Sequence, residues 1–312
     1  MDVRHWERFY RGGSLVSCPV GDSVNYSGGV RSAWEKFFST LEDGSRILDV
    51  GCGNGPISLI AKETAAGGGL SFVIDAVDLA QIDPVRDVPD GDRLFDGITF
   101  HPGVRADALP FPDECMDAVV GQYILEYTDI AETCSEIYRI LKPGGCCQFI
   151  VHHDQSVIVR NARESLRQIG AVREHRVPRL LASLVDTPSD KPHRAKELAA
   201  ALSAAMHELR EQHDEADNAL VLDWLGHGCA GIVELARTGR RGEATRAQKQ
   251  LEAELSNWRA RLEDLVRGAR SAAQLRDIET SAARAGLSST ETAPQYQDDG
   301  ALIGWRINMA RI

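Results

Sequence analysis

Four short apolar runs recur along the first half of the chain. RILDV (46 to 50), FVIDAVDL (72 to 79), DAVVGQYI (117 to 124) and CQFIVHH (147 to 153) are rich in valine, isoleucine and phenylalanine, as strands buried on both faces are. Between them PISLIAKETAA (56 to 66) and IAETCSEIYRILKPGG (130 to 145) carry apolar residues at helical spacing. The second ends at a lysine, a proline and glycines, which stop a helix. Strand, helix and strand in alternation predict a parallel sheet wrapped by helices.

After His153 the pattern becomes helical. From about Ser156 to Arg284 alanine, leucine, glutamate and arginine dominate and β-branched runs nearly vanish, which predicts five or six helices. Leu251, Leu255, Trp258, Leu262 and Leu265 keep a heptad spacing, as do Leu198, Leu202, Ala205 and Leu209. Two helices packing in a bundle within the chain account for both rows. A homodimer through this segment is the alternative, although a dimerising coiled coil needs a longer seam. The tail turns extended again, LSSTETAPQY (287 to 296) and LIGWRINMARI (302 to 312) flanking the turn signal Asp298, Asp299 and Gly300. Such a pair is expected to run antiparallel and return to the sheet, making the helical block an insertion. The expected organisation is a helical cap over 1–45, a sheet core over 46–155, a helical insertion or lid over 156–285, and a strand pair over 286–312 that completes the sheet.

Composition narrows the class. With 312 residues, 43% hydrophobic and 26% charged, the chain carries enough apolar side chains for a packed core throughout. Its formal charge of -11, from 46 acidic against 35 basic residues, argues against a nucleic-acid partner gripped by its phosphates. The seven cysteines (Cys18, Cys52, Cys115, Cys134, Cys146, Cys147 and Cys229) form no CxxC pair and suit buried free thiols in a reducing compartment. MDVRHWERFY shows no apolar leader, and no apolar run approaches the ~20 residues that span a bilayer. The expected location is cytoplasmic, with no membrane partner. No carboxylate and histidine set has metal-ligand spacing, so no metal is expected.

The chemistry gathers at ILDVGCGNG (47 to 55). Glycines after a first strand let the backbone approach a ligand and turn tightly into a helix. A dinucleotide fold uses G-x-G-x-x-G to seat a pyrophosphate. Here Asp49 precedes glycines at alternate positions, Gly51, Gly53 and Gly55, with Cys52 and Asn54 between them. That order suits a ligand with a cationic amine and no pyrophosphate.

On these residues the sequence resembles the class I S-adenosylmethionine-dependent methyltransferases, whose first motif is an acidic residue followed by G-x-G-x-G. The resemblance covers roughly residues 25 to 154 and the last two strands. It implies a Rossmann-like α/β fold, a seven-stranded sheet mostly parallel with an antiparallel C-terminal strand, here with a large helical insertion. In DAVDLA it implies Asp78, with Leu79 beside it, on the ribose hydroxyls. In VRADALPFPDECMDAVV it implies Asp107 and Ala108 at the adenine, and LKPGG (141 to 145) is the turn commonly found before the fifth strand. Gln122, past the strand DAVVG, sits where the family often contacts the methionine portion. Tyr26 and Arg31, in VNYSGGVRSAW, lie where many such enzymes fold a helix over the cofactor and would reach the methionine carboxylate or the acceptor entrance. A cap packed by Tyr26 and Trp34 for stability is the competing reading. Asp49 would likewise serve as a plain helix cap, and Asp75 would replace Asp78 if the second strand ended earlier.

The implied activity is methyl transfer from S-adenosylmethionine, with S-adenosylhomocysteine as product, to a small acceptor. A hydrophobic or aromatic metabolite methylated on oxygen, as in secondary metabolism, is favoured. Methylation of a macromolecule and a non-catalytic binding protein are the alternatives. Displacement at a sulfonium needs alignment and, for a hydroxyl acceptor, a base. His152 and His153 end the fifth strand, where ligand crevices open. Neighbouring strand residues point to opposite faces, so one of the two faces the pocket, and the sequence leaves open which. Trp224, His227 and Trp258 are candidates for an aromatic acceptor wall, with ordinary bundle core the favoured reading.

Overall fold

The computed structural model describes residues 3–18, 24–213 and 219–312. Its sheet unit is assembled from residues up to Val159 and from Arg267 onward. β1 (Arg46–Val50), β2 (Val73–Asp78), β3 (Ile98–Pro102), β4 (Met116–Gln122) and β5 (Leu141–Val151) are parallel; β6 (Leu287–Tyr296) and β7 (Leu302–Arg311) follow. The spatial order is β3-β2-β1-β4-β5-β7-β6. β7 runs antiparallel to both β5 and β6, so the tail completes a seven-stranded mixed sheet of Rossmann-like kind. Between β1 and β4 the strand order reverses, and in such sheets the crevice at the carboxyl ends beside that reversal receives ligands.

β3 escaped the sequence pattern because ITFHP at the sheet edge is half-buried and alternates weakly. LKPGG enters β5 as extended chain: the preceding helix already ends at Ile140, where Leu141 turns to ψ 136°.

Helices cover the sheet through apolar stripes. α1 (Arg4–Tyr10) buries no residue fully, whereas α2 (Gly28–Phe38) buries Val30, Ala33, Trp34, Phe37 and Phe38, the i, i+3, i+4, i+7, i+8 stripe of a helix on a core. α3 (Pro56–Gly67) begins with proline at its first position after the left-handed Gly55, a preorganised start. Two one-turn helices, α4 (Pro84–Asp87) and α5 (Gly91–Leu94), lead to β3. α6 (Ile130–Ile140) is capped by the Asp129 carboxylate accepting from the Glu132 amide and buries Cys134, Ile137 and Ile140.

The helical block begins with α7 (Val157–Glu174), α8 (Val177–Asp186) and α9 (Pro192–Gln212). It continues with α10 (Leu220–Arg237), α11 (Arg241–Gly268) and α12 (Ala272–Ala285). Residues 160–266 form the second compact unit. The expected insertion reached residue 285, but α12 belongs with the sheet. Its Leu275, Ile278 and Ala282 share a core with Ile137, Ile140 and Leu287. Within the second unit both heptad rows turn inward: Leu202, Ala205, Leu209, Leu251 and Leu255 lie in one core, with Trp258 and Leu262 packed against it. Trp224 meets Trp258 edge-on at 5.6 Å beside that core, and His227 is exposed, its Nδ1 at 2.7 Å from the Asp223 carbonyl. Among the described residues no helix is long and apolar enough to cross a membrane, and the seven cysteines are free thiols.

Candidate functional site

A pocket in the sheet unit opens where β1, β2, β4 and β5 end. Asp49, 1% exposed, sits at its base. Its Oδ2 accepts from the Ser58 amide at 3.1 Å and the Ser58 hydroxyl at 2.7 Å, while Oδ1 is buried with no partner among the described residues. One oxygen therefore steadies α3 as a cap does, and the other is left for something else. Burial pushes this carboxyl up to about 7, Ser58 opposing the rise and Asp78 adding to it.

The glycine loop has no room for side chains. Gly51 (φ 66°) and Gly53 (φ 52°) are left-handed, and a β-carbon on Gly53 would stand 2.6 Å from the Tyr10 ring. Gly53→Ala is expected to cost about 1–2 kcal/mol for the left-handed backbone alone and to push Tyr10 aside. Chemical unfolding, with the Tyr10 contact followed by proton NMR, checks both effects.

Asp78 closes β2. Its Oδ2 accepts from the Gly53 amide and its Oδ1 from the Ala80 amide, both at 2.8 Å, so it holds the glycine loop as well as lining the pocket. Burial raises it to about 6 against those two hydrogen bonds. Asp75 is spent elsewhere, on His101 at 2.9 Å and Arg46 at 3.1 Å.

Gln122 ends β4. Its Oε1 accepts from the Trp34 indole at 2.6 Å, and its Nε2 is buried without a partner among the described residues. The competing roles of α2 thus meet in one contact: Trp34 packs the cap and also aims the Gln122 amide. Tyr26 is buried beside it and lines the pocket. Next in the chain, Tyr123 takes a left-handed backbone (φ 57°), an uncommon state for a bulky residue that clusters at working sites. Its ring lies flat on the His152 imidazole, centroids 4.0 Å apart and planes within 4°. His152 is 1% exposed, its Nδ1 has no partner among the described residues, and burial drives it down to about 3. It stands neutral at physiological pH.

Residues 48–149, from β1 into β5, match the family model described as a methyltransferase domain. Residues 48–149 carry a methyltransferase domain.

Among similar proteins, the ubiquinone/menaquinone biosynthesis C-methyltransferase UbiE of Xanthomonas oryzae pv. oryzae is 33% identical over 121 residues, 38% of this chain and 47% of that protein. The demethylmenaquinone methyltransferase of Symbiobacterium thermophilum is 34% identical over 130 residues, 40% of this chain and 51% of that protein. The chain thus spans about half the length of the curated relatives it matches. A solved S-adenosylmethionine-dependent methyltransferase from Aquifex aeolicus aligns over 90% of this chain and 89% of its own, at 10% identity and a TM-score of 0.46.

The residues present fit the cofactor of such a domain. An orphaned, buried carboxylate oxygen next to a loop without side chains calls for a donor or a cation, and a buried amide N–H without an acceptor calls for an oxygen. S-adenosylmethionine carries an amine, a carboxylate and ribose hydroxyls that answer both. Asp49, Gly51, Cys52, Gly53, Asp78, Leu79, Asp107, Gln122, Tyr26 and His152 line the methyltransferase domain's pocket.

Four expected residues lie elsewhere. Arg31 pairs with Glu35 at 2.7 Å and Glu63 at 2.8 Å on the outer face of α2, because those carboxylates are its nearest neighbours. Gly55 abuts Phe100 and Phe95 and serves the turn into α3. Ala108 is outside the lining, where Val104, Arg105 and Ala106 stand instead. His153 stacks on Trp305 at 4.4 Å and its Nδ1 accepts from the Gln155 amide at 3.0 Å, so it organises a loop. Asp107 does line the pocket, yet the Arg105 guanidinium grips it at 2.8 Å and pulls its carboxyl below the usual range.

Sequence reading missed the wall supplied by α1. Val3, Trp6 and Tyr10 line the pocket, and the Asn54 amide donates to the carbonyls of Tyr10 (2.9 Å) and Ser14 (2.8 Å). The aromatic spacing of HWERFY was its one signal. Tyr123 and Tyr127 were missed as well, since nothing in GQYILEYTD announces the left-handed turn that presents them.

Proposed function

We propose that the protein transfers a methyl group from S-adenosylmethionine to a small aromatic or hydrophobic acceptor bearing an ionisable hydroxyl, with methylation on oxygen favoured. The observation that carries this reading is one pocket with two chemically distinct ends: buried acids around a glycine loop, and a neutral buried histidine among tyrosines. At the first end Asp49 would hold the amine, Asp78 the ribose and the Gln122 amide the carboxylate of the cofactor. When bound, that cofactor supplies an electrophilic methyl group on a sulfonium. At the second end Tyr123 and Tyr127, which pack on His152, offer ring faces and edges to an aromatic acceptor. His152, unprotonated, takes the hydroxyl proton as the oxygen becomes a nucleophile. The walls exclude water, which strengthens each of these interactions.

Charge supports a small acceptor. Residues 160–266 hold 17 basic and 17 acidic side chains, so the chain's net -11 falls on the sheet unit that contains the pocket. A polyanion gains nothing there.

A second reading has its own support in the Xanthomonas oryzae relative, a C-methyltransferase of ubiquinone and menaquinone biosynthesis. Deprotonating a hydroxylated ring by the same His152 would direct methylation to an adjacent carbon. Incubating the protein with methyl-13C-labelled cofactor and a panel of phenols and quinols, then locating the label by NMR, separates the two. Label on oxygen supports the first reading and label on ring carbon the second. Calorimetry comes before it: micromolar S-adenosylhomocysteine binding is expected, and its absence would sink both in favour of a binding protein of other chemistry. A cytoplasmic location is proposed with the rest.

A further inference from the structure

Beyond Val151 the sheet no longer pairs β5. The last partners are Trp305 for Val151 on β7 and Gln122 for Ile150 on β4. The peptide of His152 is therefore buried with no ladder to satisfy it, a costly state unless other groups step in. Two do. The His152 N–H donates to the Glu126 Oε1 at 2.7 Å, and its carbonyl accepts from the Arg270 N–H, also at 2.7 Å. The Arg270 guanidinium then donates to the Glu126 carbonyl at 2.9 Å, closing the arrangement on itself.

We propose that Glu126 is a positioning residue for the transfer reaction: by capping the unpaired peptide of His152 it fixes the imidazole against Tyr123 at the acceptor end of the pocket. This rests on the reading of His152 as the proton acceptor. Glu126 occupies the single 3-10 turn Leu125–Tyr127, is 4% exposed and is not among the residues lining the pocket, so its effect passes through His152. A glutamate is an expensive choice for a task any backbone carbonyl performs. Its second oxygen is buried with no partner among the described residues, and burial raises the carboxyl to about 7, the His152 amide and Arg270 opposing. The neighbourhood leaves no slack for another acceptor: a β-carbon on Gly268 would touch the Glu126 Cγ at 3.2 Å and the Tyr127 ring at 2.8 Å.

The test compares Glu126→Ala, Glu126→Gln, His152→Ala and the double variant Glu126→Ala/His152→Ala in the full chain. S-adenosylhomocysteine affinity is read by calorimetry, histidine ring signals by 15N NMR of the S-adenosylhomocysteine complex, and turnover with an acceptor from the phenol and quinol panel. Glu126→Ala should leave affinity within about twofold, shift the His152 ring signals and lower kcat about 10- to 100-fold with KM little changed. Glu126→Gln, whose amide oxygen still accepts from the His152 N–H, should restore most of both. In the His152→Ala background Glu126→Ala should cost nothing further. Unmoved His152 signals, glutamine failing like alanine, or a further loss in the double variant would each overturn the proposal. A fully active His152→Ala protein whose ring signals in the single Glu126 variants still behave as stated would refute the proton-acceptor reading, and with it the functional half of this one, while the geometric half stood.

Discussion

Asp49→Asn is expected to make the ligand-free protein more stable above pH 7 and to weaken S-adenosylhomocysteine binding about 10- to 100-fold, the worth of a buried charge-assisted hydrogen bond. Both effects come from one oxygen. The Asp49 carboxyl is pushed from 3.8 in the free chain to about 7 in the folded protein, so the folded state holds a proton that the unfolded state has released. Between about pH 4 and 7 the unfolded chain binds fewer protons at this position, and the contribution of Asp49 to ligand-free stability falls as pH rises through that window. Above it the full cost of a buried, half-satisfied carboxylate is present. Asparagine keeps an oxygen for the Ser58 hydrogen bonds and abolishes the charge, returning about 2 kcal/mol at pH 8. A ligand amine stabilises the ionised form. Affinity of the natural protein should therefore climb toward pH 7 and level off, while that of Asp49→Asn stays low and flat. Thermal unfolding of both proteins across pH 4–9 and calorimetry at the same points check the two halves; a stability gain of Asp49→Asn over the natural protein that fails to grow between pH 4 and 8 would overturn the assignment.

The same residue illustrates what a chain discloses before it folds. Asp49 and the three glycines were legible because a short-range pattern, strand then acid then glycines, forces a local geometry wherever it occurs. Asp78 was legible for a similar reason, at the end of an apolar run. The alternation of runs also yielded the sheet with its antiparallel tail, since buried strands and amphipathic helices have different periods. What stayed hidden depends on contacts distant in sequence. Glu126 reads as one more polar residue in LEY until the sheet ends at Val151 and leaves a peptide in need of it. α12 reads as the last helix of the insertion until Ile278 is found against Ile137 and Ile140. Arg31 looked available because its approach to Glu63, across 32 residues, is not visible in the sequence.

His152 and His153 show the limit most sharply, and the second large effect follows from them. They are adjacent and chemically identical, yet the strand sends one to the pocket and the other to Trp305. His152→Ala is expected to lower kcat/KM about 10- to 100-fold, the low end for a positioned base because burial leaves the imidazole weakly basic, with cofactor affinity within about twofold. His153→Ala should leave the rate nearly intact and reduce stability modestly through the lost stack and the freed Gln155 amide. The pH dependence adds a discriminating detail. Burial drives His152 down to about 3, so the imidazole stays neutral through the acid range and protonation of His152 does not limit the rate above pH 5. Any acid limb in kcat/KM near pH 6–7 then belongs to Asp49 and Asp78, whose charges bind the cofactor, and to Glu126, which burial also raises to about 7 beside the His152 peptide. That limb should move with Asp49→Asn and persist, at a lower rate, in His152→Ala. Steady-state rates against pH for the three proteins decide it: an acid limb abolished by His152→Ala alone would mean that the histidine titrates in the working range, and that the pocket is wetter around it than its burial indicates.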